Sequence, residues 1–289
     1  MTEARTGKVS ADEIPPLSRN RNYNVLWIGN LLSQLGTEIA LIGFPLLILS
    51  TSGSPLEMAL VSSVVGAAAI LANIPAGVLA DRWNRKKILL ACQAVRAAGI
   101  ASLAVALALD HYVFWHVLVV AAIEGLLGAM FEPTEDAAMA QVVPPEQLSV
   151  AIARNTVRPY AATLVGPVLA GVLFGLGHAL PFLANAAMLV VSFAGLLFLA
   201  LPRRAPAADG AADGEDRPDE PNGVVTDFLT GLRWVFGHRV IRATLVWLVV
   251  SQLVFGALII IILVASGEEN VSPGEIGLTM SCLGAGGVL

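Results

Sequence analysis

The chain has 289 residues, 56% of them hydrophobic and only 13% charged, with a mean hydropathy of +0.75 and a formal net charge of -5. A soluble domain carries about 25% charged residues, so this balance excludes an ordinary water-soluble enzyme or binding module. Nor does the net charge point to a nucleic-acid partner, and the densest acidic run, Asp209 to Glu220, falls in one linker.

Apolar runs recur at the length of about 20 residues that a helix needs to cross a hydrocarbon core. A β-barrel would show short alternating strands instead. The reading is an all-α polytopic membrane protein whose first partner is the lipid bilayer. Residues 1–22 form a polar tail containing Pro15-Pro16, without the pattern of a cleavable signal peptide. Insertion is therefore expected to rely on the first spanning helix.

Helix 1 is expected at 23–49. It carries Asn30, Ser33, Gln34, Thr37 and Glu38, which at 100° per residue share one face less than half the circumference wide. Lipid penalises such a stripe, so it must face other helices or a water-filled cavity. Glu38 lies near mid-span, where an ionisable residue is a candidate proton carrier or ligand contact. A carboxylate hydrogen-bonded for helix packing is the alternative.

Helix 2 is expected at 56–80 and helix 3 at 88–109, joined by the basic hairpin Gly77-Val-Leu-Ala-Asp81-Arg82-Trp-Asn-Arg85-Lys86-Lys87. Gly77 allows close helix approach, Asp81 can sit at a helix amino terminus, and Arg82 and Arg85 can pair with carboxylates. Helix 4, at 113–139, places Glu124 near its centre, beside Gly125 and Gly128. It places Glu132, Glu135 and Asp136 at the hairpin end as candidate partners for Arg82 and Arg85. Such interfacial pairs could break and form during a conformational change. A purely topogenic role for the cations is the other reading.

Helix 5, at 150–176, contains Gly166-Pro167-Val-Leu-Ala170-Gly171, where the proline bends the helix and the glycines permit tight packing. Arg154 and Arg158, one turn apart, are expected to snorkel or pair. Helix 6 is expected at 180–201, completing a 23–201 transmembrane unit. Residues 202–224, rich in Pro, Ala, Gly and acid, read as a disordered linker. The last region, 225–289, reads as an amphipathic surface helix, helix 7 at 240–265, and the start of helix 8.

Cations fall on the amino tail (Arg5, Lys8, Arg19, Arg21), the hairpin, and the region after helix 6. Arg96, Arg154 and Arg158 are read as lying near helix ends on that same side. The loops on the other side carry no Lys or Arg, so the amino terminus is expected to be cytoplasmic, in a plasma membrane. No phosphate-binding loop occurs. The cysteines, Cys92 and Cys282, offer no disulfide framework or zinc pattern. Neither a nucleophile–base pair nor a metal cluster suggests an enzyme, and no cofactor is expected beyond a proton gradient.

The hairpin is similar to the signature loop of major facilitator superfamily transporters. Leu26-Trp27-Ile28-Gly29, Ser33-Gln34-Leu35-Gly36 and Phe44-Pro45-Leu46-Leu47 resemble helix 1 of the branch with enterobactin-type siderophore exporters and macrolide efflux proteins. Gly231-Leu232-Arg233-Trp234 also looks like that branch. The Gly166, Pro167 and Gly171 segment resembles the helix 5 motif of proton-coupled drug antiporters, with Ala170 in place of one glycine. Many antiporters have an arginine where this chain has Ala121, and Glu38 and Glu124 are the candidate substitutes in proton coupling.

The resemblance implies a six-helix N-terminal half of a twelve-helix transporter, with the hairpin latching on helix 11 and substrate held between helices 1, 4, 7 and 10. The expected activity is proton-coupled export of a hydrophobic small molecule: a drug, antibiotic or siderophore. The alternative expectation is a truncated or split half-transporter, inactive alone, whose partner is a separate C-terminal half.

Overall fold

The computed structural model describes residues 16–82, 84–199, 237–268 and 271–286, with side chains of 74–82, 252, 253, 255, 263, 267, 268 and 283–286 outside the description. The linker expected at 202–224 and the surface helix expected from 225 to 236 also lie outside it. Helices account for the regular structure, and no strand occurs among the described residues. In order they are α1 (Arg21–Thr51), α2 (Pro55–Arg82), α3 (Arg85–Ala108), α4 (Phe114–Val142), α5 (Leu148–Leu176), α6 (Leu180–Leu197), α7 (Arg239–Glu268) and α8 (Pro273–Gly286). Seven, α1 to α7, are long and apolar enough to cross a membrane. In lipid a backbone must satisfy its own polar groups, which is why these apolar runs are helical throughout.

Local chemistry sets the ends. The Asn20 side chain accepts from the Tyr23 amide at 3.1 Å and caps α1. Its amide also donates to the Val142 carbonyl at 2.7 Å, tying the start of α1 to the end of α4. At the far end of α1, Gly53 adopts φ +62° and its amide returns to Ile48 O at 2.9 Å, a left-handed helix stop. Asn84 caps α3 at Lys87. Ser272 and Glu275 form a capping box at α8: the Ser272 amide and hydroxyl donate to Glu275 Oε2 at 3.0 and 2.8 Å.

The chain forms two units, 203–262 and the remainder. The larger holds α1 to α6 and α8. Within it α1 packs against α5 and α6, α4 against α2 and α3, α3 against α6, and α8 against α5. Glycines permit the tightest approaches, as small residues do between membrane helices. A Cβ at Gly125 of α4 would overlap the Val65 carbonyl of α2, and one at Gly166 of α5 would overlap the Glu38 Cβ of α1. Gly171 of α5 and Gly277 of α8 face each other in the same way, each against a backbone carbonyl of the other helix. The smaller unit contains most of α7, whose most apolar stretch has a mean hydropathy of 2.9.

Arg96 departs from the sequence reading. It lies midway along α3, about 16 Å of helix beyond Arg85, too deep to snorkel to an interface. It is 1% exposed.

Candidate functional site

The polar stripe of α1 does turn toward other helices. Asn30, Ser33, Gln34, Thr37 and Glu38 all line one cavity of about 380 Å³, together with Arg96 of α3, Glu124 and Glu132 of α4, and Ala162 of α5. Phe44, Phe131 and Leu41 supply apolar wall. The helical spacing of the stripe makes this possible, and the glycine approaches bring α1, α2, α4 and α5 close enough to enclose it.

Arg96 organises the mid-span part of that wall. Its Nη2 and Nε donate to Glu124 Oε2 at 2.7 and 3.1 Å. Its Nη1 donates to Ser33 Oγ at 2.8 Å and its Nη2 to Thr37 Oγ1 at 2.7 Å. Two opposite charges are thus buried together, the arrangement that makes intramembrane ions tolerable. A further polar link lies beside it, where Gln93 of α3 donates to Ser192 Oγ of α6 at 2.8 Å. Sequence reasoning missed Arg96 because cations of the adjacent hairpin drew it toward the interface. The available signal was the coincidence of an arginine and a glutamate, each midway along its own span.

A second cluster lies nearer the hairpin end of the bundle. Arg158 of α5 holds Glu135 of α4 by Nη2–Oε2 at 3.3 Å and Nη1–Oε1 at 3.4 Å. Asn30 donates to Glu135 Oε2 at 2.5 Å. Gln34 accepts from Arg158 Nε and donates to Glu132 Oε1, both at 3.3 Å. Gln34, Glu132, Glu135 and Arg158 line a second cavity of about 520 Å³, which also contains exposed Asp136 and shares Gln34, Glu132 and Pro159 with the first.

Glu135, expected as a partner for the hairpin cations, has its carboxylate held by Arg158 and Asn30. Arg85 Nη1 donates to the Ala137 carbonyl of α4 at 2.7 Å. Lys86 Nζ donates to the carbonyls of Leu197 and Leu199 at the end of α6, at 2.8 and 2.6 Å. The carboxyl end of α6 carries partial negative charge and unbonded carbonyls, so Lys86 finds partners there without needing a carboxylate. The side chains at Gly77, Asp81 and Arg82 lie outside the described residues.

Glu38 is placed differently from the paired glutamates. It is half-buried against Gly166, its Oε1 accepts from Thr163 Oγ1 at 2.8 Å, and it pairs with no cation among the described residues. Gly166 and Pro167 thus serve two contacts, α1 on one side and α8 on the other. Arg154, one turn from Arg158, is exposed.

A buried charge network around a central cavity in an all-helical membrane bundle is transporter architecture, and residues 26–289 match the family model of the Major Facilitator Superfamily. The chain belongs to that superfamily. Among relatives of this facilitator, YfiS of Bacillus subtilis (strain 168), an uncharacterized MFS-type transporter, is 25% identical over 224 residues, 76% of this chain and 51% of that protein. Multidrug resistance protein MdtG of Escherichia coli O81 (strain ED1a) is 30% identical over 192 residues, 64% of this chain and 45% of its own length. MdtG of Citrobacter koseri is 30% identical over 201 residues, 67% of this chain and 48% of that protein. This facilitator spans about half the length of the curated relatives it matches. It is a multi-pass membrane protein of a transporter family.

Proposed function

We propose that the chain is part of a secondary exporter that moves a hydrophobic small molecule outward in exchange for protons, with Glu38 as the proton-carrying carboxylate. The observation that carries this reading is the contrast between Glu38 and two ion-paired glutamates, one in each of the adjoining cavities. Glu124 is committed to Arg96 and Glu135 to Arg158, whereas Glu38 has only a hydroxyl partner on a wall otherwise suited to a ligand. A carboxylate without a fixed counter-charge can bind and release a proton at little cost to the surrounding network. Export, rather than uptake, is supported by the relatives named multidrug resistance proteins and by the Gly166, Pro167 and Gly171 segment.

In this reading the protein lies in the plasma membrane with its amino terminus and the hairpin in the cytoplasm. The second cavity, beside the hairpin end, is then the cytoplasmic approach to the first. The Arg158–Glu135 pair joins α5 to α4 in the wall of that approach.

The test is efflux from a drug-sensitive host expressing the gene, measured as a function of external pH. Glu38→Gln is expected to abolish the pH-dependent component while leaving the protein in the membrane. If a Glu38→Gln/Glu124→Gln double variant kept wild-type, pH-dependent efflux, proton coupling through this cavity would be wrong.

A further inference from the structure

The hydrogen-bonding groups of the first cavity are lopsided. Three carboxylates, Glu38, Glu124 and Glu132, stand in its wall against one cation, Arg96. That guanidinium is 1% exposed and spends four of its five N–H groups on Glu124, Ser33 and Thr37. It is therefore not offered to an anion.

Two carboxylates of the wall are open to the cavity: half-buried Glu38, whose Oε1 accepts from Thr163, and exposed Glu132, whose Oε1 accepts from Gln34. Both are acceptors. A ligand that completes this wall must bring donors. A buried acceptor left unmade costs binding energy, and a charge-assisted bond to it returns the most.

The remaining features agree. Phe44, Phe131 and Leu41 form the apolar side, and about 380 Å³ suits a drug-sized body. The adjoining cavity adds the exposed Asp136 and shares Glu132, which gives the approach a negative potential that attracts cations.

We propose that this cavity binds an amphiphilic organic cation bearing N–H donors, a protonated amine, amidine or guanidine on an apolar body. It discriminates against the quaternary ammonium of the same body, which has the charge but no donor. It discriminates more strongly against anions, which meet the carboxylates. As a statement of what is exported this rests on the exporter reading; as a statement of binding it is tested without transport.

The experiment is equilibrium binding to the purified full chain in lipid nanodiscs, read by fluorescence with three probes sharing one fluorophore. They are dansylcadaverine, its N,N,N-trimethylated derivative, and dansyl-6-aminohexanoic acid. Dansylcadaverine is expected to bind saturably and about tenfold more tightly than the trimethylated form, the worth of roughly one hydrogen bond, with the carboxylate weakest. Glu38→Gln and Glu132→Gln are each expected to narrow the margin over the carboxylate.

Equal binding of the trimethylated probe, tighter binding of the carboxylate, or no saturable binding of dansylcadaverine would overturn the proposal. So would an unchanged margin over the carboxylate in both glutamine variants. If a variant does not fold, the ranking of the three probes on the unsubstituted chain decides. A failed ranking leaves the exporter reading standing on its efflux assay, and absent efflux with an intact ranking removes the exporter reading alone.

Discussion

Arg96 and Glu124 meet across the α3–α4 interface through two hydrogen bonds to a single carboxylate oxygen, at 2.7 and 3.1 Å, with side chains 1% and 4% exposed. Neither charge can be relieved by water, so each depends on the other. Replacing one partner, by Arg96→Met or Glu124→Gln, is expected to destabilise the bundle by about 3–5 kcal/mol, because an uncompensated charge is left inside. The Arg96→Met/Glu124→Met double variant is expected to recover most of that loss. Thermal melts of the detergent-solubilised proteins measure it, and a double variant as unstable as the worse single one would contradict the pairing.

Gly125 and Gly175 make a matched pair of controls. A side chain at Gly125 would meet the Val65 backbone carbonyl, which cannot rotate away, whereas Gly175 has no neighbour within 4 Å of a built Cβ. Gly125→Ala is expected to push α2 from α4 and cost about 1–3 kcal/mol, as overpacking does. Gly175→Ala should stay within about 0.5 kcal/mol of the parent. The two melting temperatures, compared side by side, decide whether that close approach exists.

The Asn30 amide stands 2.5 Å from Glu135 Oε2. Asn30→Asp replaces its donor with a second carboxylate of nearly the same shape. Arg158 then faces two acids where it now balances one, and like charges at that spacing repel. The variant is expected to lose about 1–3 kcal/mol, the penalty for breaking a buried hydrogen bond. Asn30→Asp combined with Glu135→Gln should regain most of it. Melting curves of the three proteins provide the check, and an undisturbed single variant would count against the network.

The proposed topology rests on the cations of the hairpin. An alkaline phosphatase domain, active only outside the cytoplasm, is expected to be inactive when fused after Asn84 and active when fused after Asp110. The opposite pattern would reverse the orientation proposed above.

Much of this molecule was legible in the chain because a bilayer is a severe solvent. Runs of apolar residues had to be helices, and their interruptions at Ser52-Gly53, Asp110-His111, Pro144-Pro145 and Gly177 had to be their ends. The expected 23–49 became Arg21–Thr51 and the expected 150–176 became Leu148–Leu176. Periodicity alone placed Asn30, Ser33, Gln34, Thr37 and Glu38 on one face, and that face lines the cavity.

Which charges meet was a different question, and only the packing answered it. Glu135 was within reach of the hairpin by its position on the helix, yet it pairs with Arg158 because α5 brings that guanidinium inward. Arg85 bonds a carbonyl within α4, and Lys86 bonds carbonyls at the end of α6. Arg96, read along the chain as one more interfacial cation, is the central charge of the bundle. Burial and helix periodicity are properties of a segment and can be read from it. An ion pair belongs to two segments, and the chain records neither their rotation nor their separation.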